Sequence, residues 1–174
     1  MSEKEEFDEC PSFHYTPKDI CEKLLEDIEF KAYDETLEPC IGRDRNFYDK
    51  IPYQKDWGEI EQGRDIFEYD YGRKFAKVIV NPPYKTNHKE PKDRKNIAMK
   101  FIFRCLELCM DECWCLLNLQ MFNSLTPNRL KDMTEMGFGV VSIKVVNISK
   151  WYGRYFWICF KKLDESGGKN ILQY

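Results

Sequence analysis

Apolar and polar positions along the chain switch between a helical and an extended period. After Thr16-Pro17, which reads as an N-cap and first helical residue, Ile20, Leu24 and Ile28 recur at helical spacing. A short extended piece ends at Leu37-Glu38-Pro39. Ile41-Gly42-Arg43-Asp44 then reads as a turn, followed by a short helix or turn through Tyr48 that Pro52 keeps from running far. Asp56–Glu61 has the pattern of a short strand. Ala76–Val80 is an apolar, β-branched run halted by two prolines, which suits a strand buried on both faces.

The second half repeats the alternation. Lys85–Lys95 is polar without apolar periodicity and reads as a loop. From Asn96, the residues Ile97, Phe101, Cys105 and Leu108 trace a helix to about Asp111, and Cys113–Leu119 is again strand-like. Thr126-Pro127 starts another helix that Gly137 ends. Val140–Ile148 and Tyr155–Lys161 are two strands whose Gly153-containing connection is short enough for an antiparallel pair. Gly167-Gly168 marks a turn before a short edge strand at Ile171–Tyr174. Strands alternating with helices, then a hairpin, predict an α/β fold: a mostly parallel sheet with a closing antiparallel hairpin and helices on both faces. Residues 1–12 read as a flexible acidic terminus and 13–174 as a single domain.

Composition narrows the class. The 174 residues are 43% apolar, 15% aromatic and 33% charged, which is globular rather than disordered. With 27 Lys and Arg against 30 Asp and Glu, the net charge of −3 argues against a general basic coat and leaves room for a local basic patch. The longest apolar stretch, Cys113–Phe122, contains Asn118 and Gln120 and is about half a membrane span. Met1–Glu9 carries five acids and no apolar run, unlike a signal peptide. Eight cysteines in such a chain read as thiols of a reducing compartment, so an intracellular location is expected: cytoplasm, or nucleus for a eukaryotic or viral source. Cys105, Cys109 and Cys113 at i, i+4 and i+8 form a small-residue stripe of a buried helix running into a strand. Without a Cys-x-x-Cys pair they do not suggest a metal site.

Ligands of open α/β sheets sit beyond the carboxyl ends of the strands. Three polar clusters fall at such ends: Glu38-Pro39-Cys40-Ile41-Gly42, Glu59, and Asn81-Pro82-Pro83-Tyr84. In the last, two prolines fix the backbone, so that the Pro82 carbonyl and the Asn81 side-chain oxygen can point at one spot. Two fixed acceptors match the two hydrogens of a planar amino group, and Tyr84 offers a flat face for a conjugated ring. Such an amine is a poor nucleophile because its lone pair is delocalised. Holding both N–H groups in tetrahedral directions localises the pair without a strong base, by alignment and fixed dipoles.

These residues resemble the N6-adenine branch of the class I S-adenosylmethionine-dependent amino-methyltransferases, in the motif order of the compact gamma-type DNA enzymes. Phe13-His14-Tyr15-Thr16-Pro17 looks like their amino-terminal motif, and the resemblance implies that Tyr15, Thr16 and Pro17 contact the methionine part of the cofactor. Leu37-Glu38-Pro39-Cys40-Ile41-Gly42 looks like the cofactor loop. Trp57-Gly58-Glu59-Ile60 resembles the acidic strand end that binds the ribose, and Gly63-Arg64-Asp65-Ile66-Phe67 the segment whose acid reads the cofactor adenine. Asn81-Pro82-Pro83-Tyr84 matches the catalytic motif, with Asn81 also beside the cofactor. The 17 positions from Gly42 to Glu59 are close to the roughly 20 between a nucleotide-binding loop and its ribose acid.

The resemblance implies a Rossmann-like fold, S-adenosyl-L-methionine as cofactor, and methylation of adenine N6, with DNA ahead of RNA. RNA adenine, or the glutamine amide of a protein, is the alternative target. A cofactor-binding subunit with weakened catalysis is the non-enzymatic alternative, favoured by one departure: the cofactor loop has Asp44 where a second glycine is usual. A second departure is that twelve residues follow Lys162, too few for a target-recognition domain. Nucleic acid is then left to the basic segment Lys85, Lys89, Lys92, Arg94 and Lys95, backed by Lys144, Lys150, Arg154, Lys161 and Lys162, with Trp151 and Tyr152 for stacking. A homodimer or a separate recognition subunit is the expected route to specificity.

Overall fold

The computed structural model describes residues 15–83, 97–149, 151, 153–163 and 170–172. Helix α1 (Lys18–Leu25) precedes strand β1 (Glu35–Glu38), a 3-10 turn at Tyr48–Lys50, β2 (Gln54–Trp57), a 3-10 turn at Ile60–Gln62, and β3 (Phe75–Val80). There follow α2 (Ile97–Leu108), β4 (Cys109–Asn118), the single turn α3 (Leu119–Phe122), α4 (Pro127–Glu135), β5 (Phe138–Val146) and β6 (Tyr155–Lys162). Among the described residues the six strands make one sheet in the order β2-β1-β3-β4-β6-β5. The first four are parallel, and β6 runs antiparallel to both β4 and β5. The chain runs from β1 to β2 on one flank and from β2 back to β3 on the other, so the switch in strand order falls between β1 and β3, whose carboxyl ends mark the crevice position of open α/β sheets.

Strand periodicity sorts the core into two layers. From β3, β4 and β6, Val78, Val80, Cys113, Cys115, Leu117, Ile158 and Phe160 face α2 and α4. Ile79, Trp114, Leu116, Trp157 and Cys159 face the other way, onto Cys21, Leu24, Leu25 and Ile28 of α1 and its exit. The expected sheet with helices on both faces is present. Toward the amino ends of the parallel strands, buried Lys77 pairs with Glu112 at 3.0 Å and Asp34 at 3.7 Å, and Lys161 joins Glu112 at 2.8 Å. That charge cluster holds the floor of the sheet, away from the crevice.

Several expected boundaries move, each for a local reason. Helix α1 takes Pro17, not Thr16, as its N-cap, and a proline has no side-chain oxygen to offer the first turn, while the Thr16 hydroxyl accepts from Asn81. The second strand lies at Gln54–Trp57 rather than Asp56–Glu61. Glu59 instead begins a two-residue bridge with Arg64, and the 3-10 turn between them breaks the extended run. The cysteine stripe runs from helix into strand as expected, but α2 ends at Leu108 rather than near Asp111, because Cys109 already pairs with Phe75. Cys113 and Cys115 share a strand face with their sulfurs 3.7 Å apart. Ile171 donates its N–H to the Val140 carbonyl at 2.7 Å, but no strand forms at 170–172.

Cys21, Cys105, Cys109, Cys113, Cys115 and Cys159 are free and buried. Burial pushes the Cys21 and Cys159 thiols up, so neither is a thiolate at neutral pH. In native protein these six should resist alkylation by iodoacetamide and react fully once unfolded in denaturant. Peptide mass spectrometry reads each cysteine separately, and rapid native labelling of any of the six would contradict the packing.

Candidate active site

The loops leaving β1 and β2 are joined by backbone bonds that continue the strand pairing. Gly58 donates its N–H to the Glu38 carbonyl at 2.9 Å, and Ile41 donates to the Gly58 carbonyl at 3.1 Å. A side chain completes the series: Gly42 donates its N–H to Glu59 Oε2 at 2.9 Å. The 17-residue spacing seen in the sequence is thus a direct contact. Gly58 has to be glycine here, since a Cβ would stand 2.5 Å from the Tyr71 hydroxyl and 2.8 Å from the Pro39 carbonyl. Gly42 takes φ +59° with the Tyr15 ring laid against it, where a Cβ would fall 2.7 Å from Tyr15 Cε1.

From the other side of the crevice, Asn81 and buried Pro82 follow directly on β3. Asn81 Nδ2 donates to the Thr16 hydroxyl at 3.2 Å, and Asn46 Nδ2, from the loop after β1, donates to the Thr16 carbonyl at 2.9 Å. Tyr15, Thr16, Glu38, Pro39, Gly42, Glu59 and Asn81 therefore form one connected rim. Pro17 serves it as the start of α1, and Cys40 is half-buried against the core with its thiol pushed up by burial.

Glu38 stands out chemically. It ends β1, is 3% exposed, and its Oε2 has no hydrogen-bond partner. Burial pushes its carboxyl well above the ordinary carboxylate range, against the pull of a Tyr48 backbone hydrogen bond. Ile60 is exposed, and Asp65 lies near it in a shallow acidic depression with Gly63, Glu68, Tyr69 and Asp70. Asp65 Oδ1 accepts the Phe67 N–H at 3.0 Å. Ile66 turns into the core and offers its carbonyl to Arg104.

Two residues here escaped sequence reasoning. Asn46 read only as a turn residue. Arg64 anchors the segment carrying Glu59 and Asp65: it reaches Asp56 at 2.6 Å, with its guanidinium 4.2 Å from the Trp57 ring centre and 4.3 Å from that of Tyr69. The interleaving of Trp57, Arg64, Tyr69 and Tyr71 was the available signal.

Other predicted positions fall elsewhere. Tyr84 and the basic residues Lys85, Lys89, Lys92, Arg94 and Lys95 lie outside the described residues, as do Lys150 and Tyr152. Lys161 and Lys162 sit at the opposite end of the sheet from the crevice, because β6 is antiparallel and carries its end to the floor, where Lys162 caps the Met136 carbonyl. Lys144 is paired with Asp27 at 2.9 Å. Among the described residues no helix is long and apolar enough to cross a membrane, and no group of His, Cys, Asp or Glu could hold a metal ion.

The burial of Glu38 makes stability depend on pH. Its folded pKa is raised, so between the unfolded and folded values the native state holds the extra proton and stability falls as pH rises. Glu38→Gln should remove that loss. At pH 8 it should melt above wild type by the equivalent of about 1 kcal/mol or more, roughly 2–4 °C, and the gap should shrink toward pH 4. Melting curves across that range check the sign.

No protein-family model and no curated protein matches the chain. Solved structures do. A Listeria monocytogenes protein assigned as a class I S-adenosylmethionine-dependent methyltransferase superposes with a TM-score of 0.68 at 12% identity, over 96% of this chain and 66% of that one. A Pyrococcus horikoshii protein assigned as an RNA methyltransferase gives 0.53 at 17% identity, over 86% and 87% of the two chains. A modification subunit assigned to a type I restriction enzyme of Vibrio vulnificus YJ016 gives 0.53 at 12% identity, over 88% and 44%. This chain thus spans just under two thirds of the Listeria protein and less than half of the Vibrio subunit. Identities this low speak to architecture alone, and with the strand order and the crevice they give one answer: the fold is that of the Rossmann-like class I methyltransferases.

Proposed function

We propose that the chain is an S-adenosylmethionine-dependent N-methyltransferase acting on the N6 amine of adenine, in DNA ahead of RNA. The observation that carries the reading is that Asn81-Pro82 directly follows β3 beside the end of β1, with the Asn81 amide tied to Thr16. Strand ends at such a switch point are where open α/β sheets generally take their ligands, which supports an amine-acceptor role for these residues.

The cofactor fits the donor set of the rim. It presents an ammonium, a ribose diol and an adenine amine, all hydrogen-bond donors. The rim answers with carboxyls: buried Glu38 with its unpartnered oxygen, half-buried Glu59, and Asp65 beside Ile60. When bound, S-adenosylmethionine supplies an electrophilic methyl group on a sulfonium. The chain's residues do the rest. Asn81 Oδ1 and the Pro82 carbonyl accept the two amine hydrogens and draw the nitrogen lone pair out of conjugation. Tyr84, by the family resemblance, stacks the base, which is flipped out or already unpaired. No side chain has to act as a strong base, because the amine becomes acidic only as the new bond forms, and its proton can leave to water.

Glu59 already spends Oε2 on the Gly42 N–H. A carboxylate oxygen has a second lone pair, so the same side chain can hold the glycine turn and a ribose hydroxyl together. Support for nucleic acid comes from the basic segment that follows the catalytic motif in sequence, Lys85, Lys89, Lys92, Arg94 and Lys95. A homodimer or a separate recognition subunit would supply sequence specificity.

The test is incubation with labelled S-adenosylmethionine and separate pools of double-stranded DNA, single-stranded DNA, RNA and protein, followed by identification of the labelled atom. Label on adenine N6 of DNA is expected, and label on a protein glutamine would replace the substrate assignment. Asn81→Ala should abolish transfer while S-adenosylhomocysteine affinity, by calorimetry, stays within a few-fold of wild type. Near-normal turnover by that variant would refute the amine-acceptor mechanism. Glu59→Ala should weaken S-adenosylhomocysteine by about 1–3 kcal/mol, the cost of unpaired hydroxyls and a loosened glycine turn.

A further inference from the structure

We infer that Thr16 is a positioning residue for the Asn81 amide rather than a contact for the cofactor, an inference that rests on the methyltransferase reading. Thr16 is 5% exposed and stands where three segments meet. Its hydroxyl receives Asn81 Nδ2 at 3.2 Å, and its carbonyl receives Asn46 Nδ2 at 2.9 Å and the Cys21 thiol at 3.6 Å. The carbonyl bonds fix Thr16 to the loop after β1 and to α1. The hydroxyl passes that position on to the first residue after β3.

The start of α1 bears out the division of labour. The N-cap is Pro17, one residue later, which has no side-chain acceptor, so Thr16 stands outside the capping position. Its hydroxyl accepts from Asn81 instead.

The chemical consequence follows from the amide itself. An asparagine amide has a donor end and an acceptor end, and only the acceptor end can receive an amine hydrogen. Engaging Nδ2 at Thr16 leaves Oδ1 at the other edge of the planar amide, the orientation amine capture requires. The terminal side-chain torsion is broad and roughly two-fold, so the Thr16 bond favours this orientation over the flipped one, which would set –NH2 against the substrate amine, donor against donor. Asn46 extends the tie. The loop that follows the glycine turn and the loop that holds the target amine are both fastened to one residue.

Thr16→Val removes the hydroxyl and keeps the shape, Thr16→Ser keeps the hydroxyl, and Thr16→Ala serves if the valine variant does not fold. The loss variant should lower kcat by roughly 10- to 100-fold, with KM for S-adenosylmethionine and S-adenosylhomocysteine affinity within threefold of wild type. Thr16→Ser should restore kcat to within about threefold of wild type. A second readout needs no turnover: the side-chain Nδ2 protons of Asn81, assigned by NMR, should exchange with solvent slowly in wild type and the serine variant and faster in the valine variant. Raised KM and weakened S-adenosylhomocysteine with unchanged kcat would make Thr16 a cofactor contact and overturn the inference. Unchanged Asn81 exchange in Thr16→Val would overturn it as well. If wild type transfers no methyl group to any pool, the methyltransferase reading falls and the catalytic part of the inference falls with it, while the exchange measurement still decides whether Thr16 holds the amide.

Discussion

The parallel hydrogen-bond ladder between β1 and β3 is the constraint on which the site depends. Thr36 stands opposite Lys77 and Leu37 opposite Val78, so the strands end side by side while their onward chains part to opposite sides of the sheet. Parallel pairing also puts every loop with chemistry on the same edge. Turning one of these strands around would send either the glycine turn or Asn81 to the floor, where Lys77 and Glu112 sit. The ladder is buried on both faces, with Val78 and Val80 on one core layer and Ile79 on the other. Its register is pinned, because a one-residue slip would exchange the two layers.

Above the ladder, short-range bonds do the aligning. The series from Gly58 through Ile41 to the Gly42–Glu59 contact fastens the β1 and β2 exits together, and Thr16 fastens the β1 exit to Asn81. Most of these are backbone bonds or bonds from backbone to side chain, which suits a rim that has to hold its shape without a large apolar lining. Among the described residues, Glu38 Oε2, Arg64 Nε and the Tyr71 hydroxyl are buried near the rim without a hydrogen-bond partner, the kind of local cost that accumulates at functional sites.

How much of this could be read in advance depended on the range of the interaction. Ala76–Val80 was legible because burial on both faces leaves an unbroken apolar run, and the hairpin was legible because its connection is too short for anything else. The Gly42–Glu59 pairing was legible because residue type and spacing carry it. What was misread involved residues with two local options. Thr16 can cap a helix or bond a distant amide, and only the fold, which brings Asn81 to it across 65 residues, decides. Asp56–Glu61 has strand-like residues, but Gly63 in the left-handed region closes a turn that pulls Glu59 out of the strand. The helix from Ile97 could run by spacing to about Asp111, yet the pairing of Cys109 with Phe75 ends it early. Asn46 gave no sign at all, since nothing local distinguishes an anchoring asparagine from a turn asparagine.

The aromatic column beneath the rim gives the molecule a built-in optical probe. Trp157 of β6 lies between Phe47, whose ring is nearly parallel at 5.8 Å, and Trp114 at 5.4 Å. Phe47 belongs to the same loop as Asn46, just past the glycine turn. At the other end of the rim, Trp57 stacks against the guanidinium of Arg64, next to Glu59. Three of the chain's four tryptophans therefore contact, directly or through one another, the loops of the rim, and the two in the column are buried. A shift of either loop changes the stacking or the charge beside an indole, so the intrinsic emission of the unlabelled protein reports on the state of its own rim.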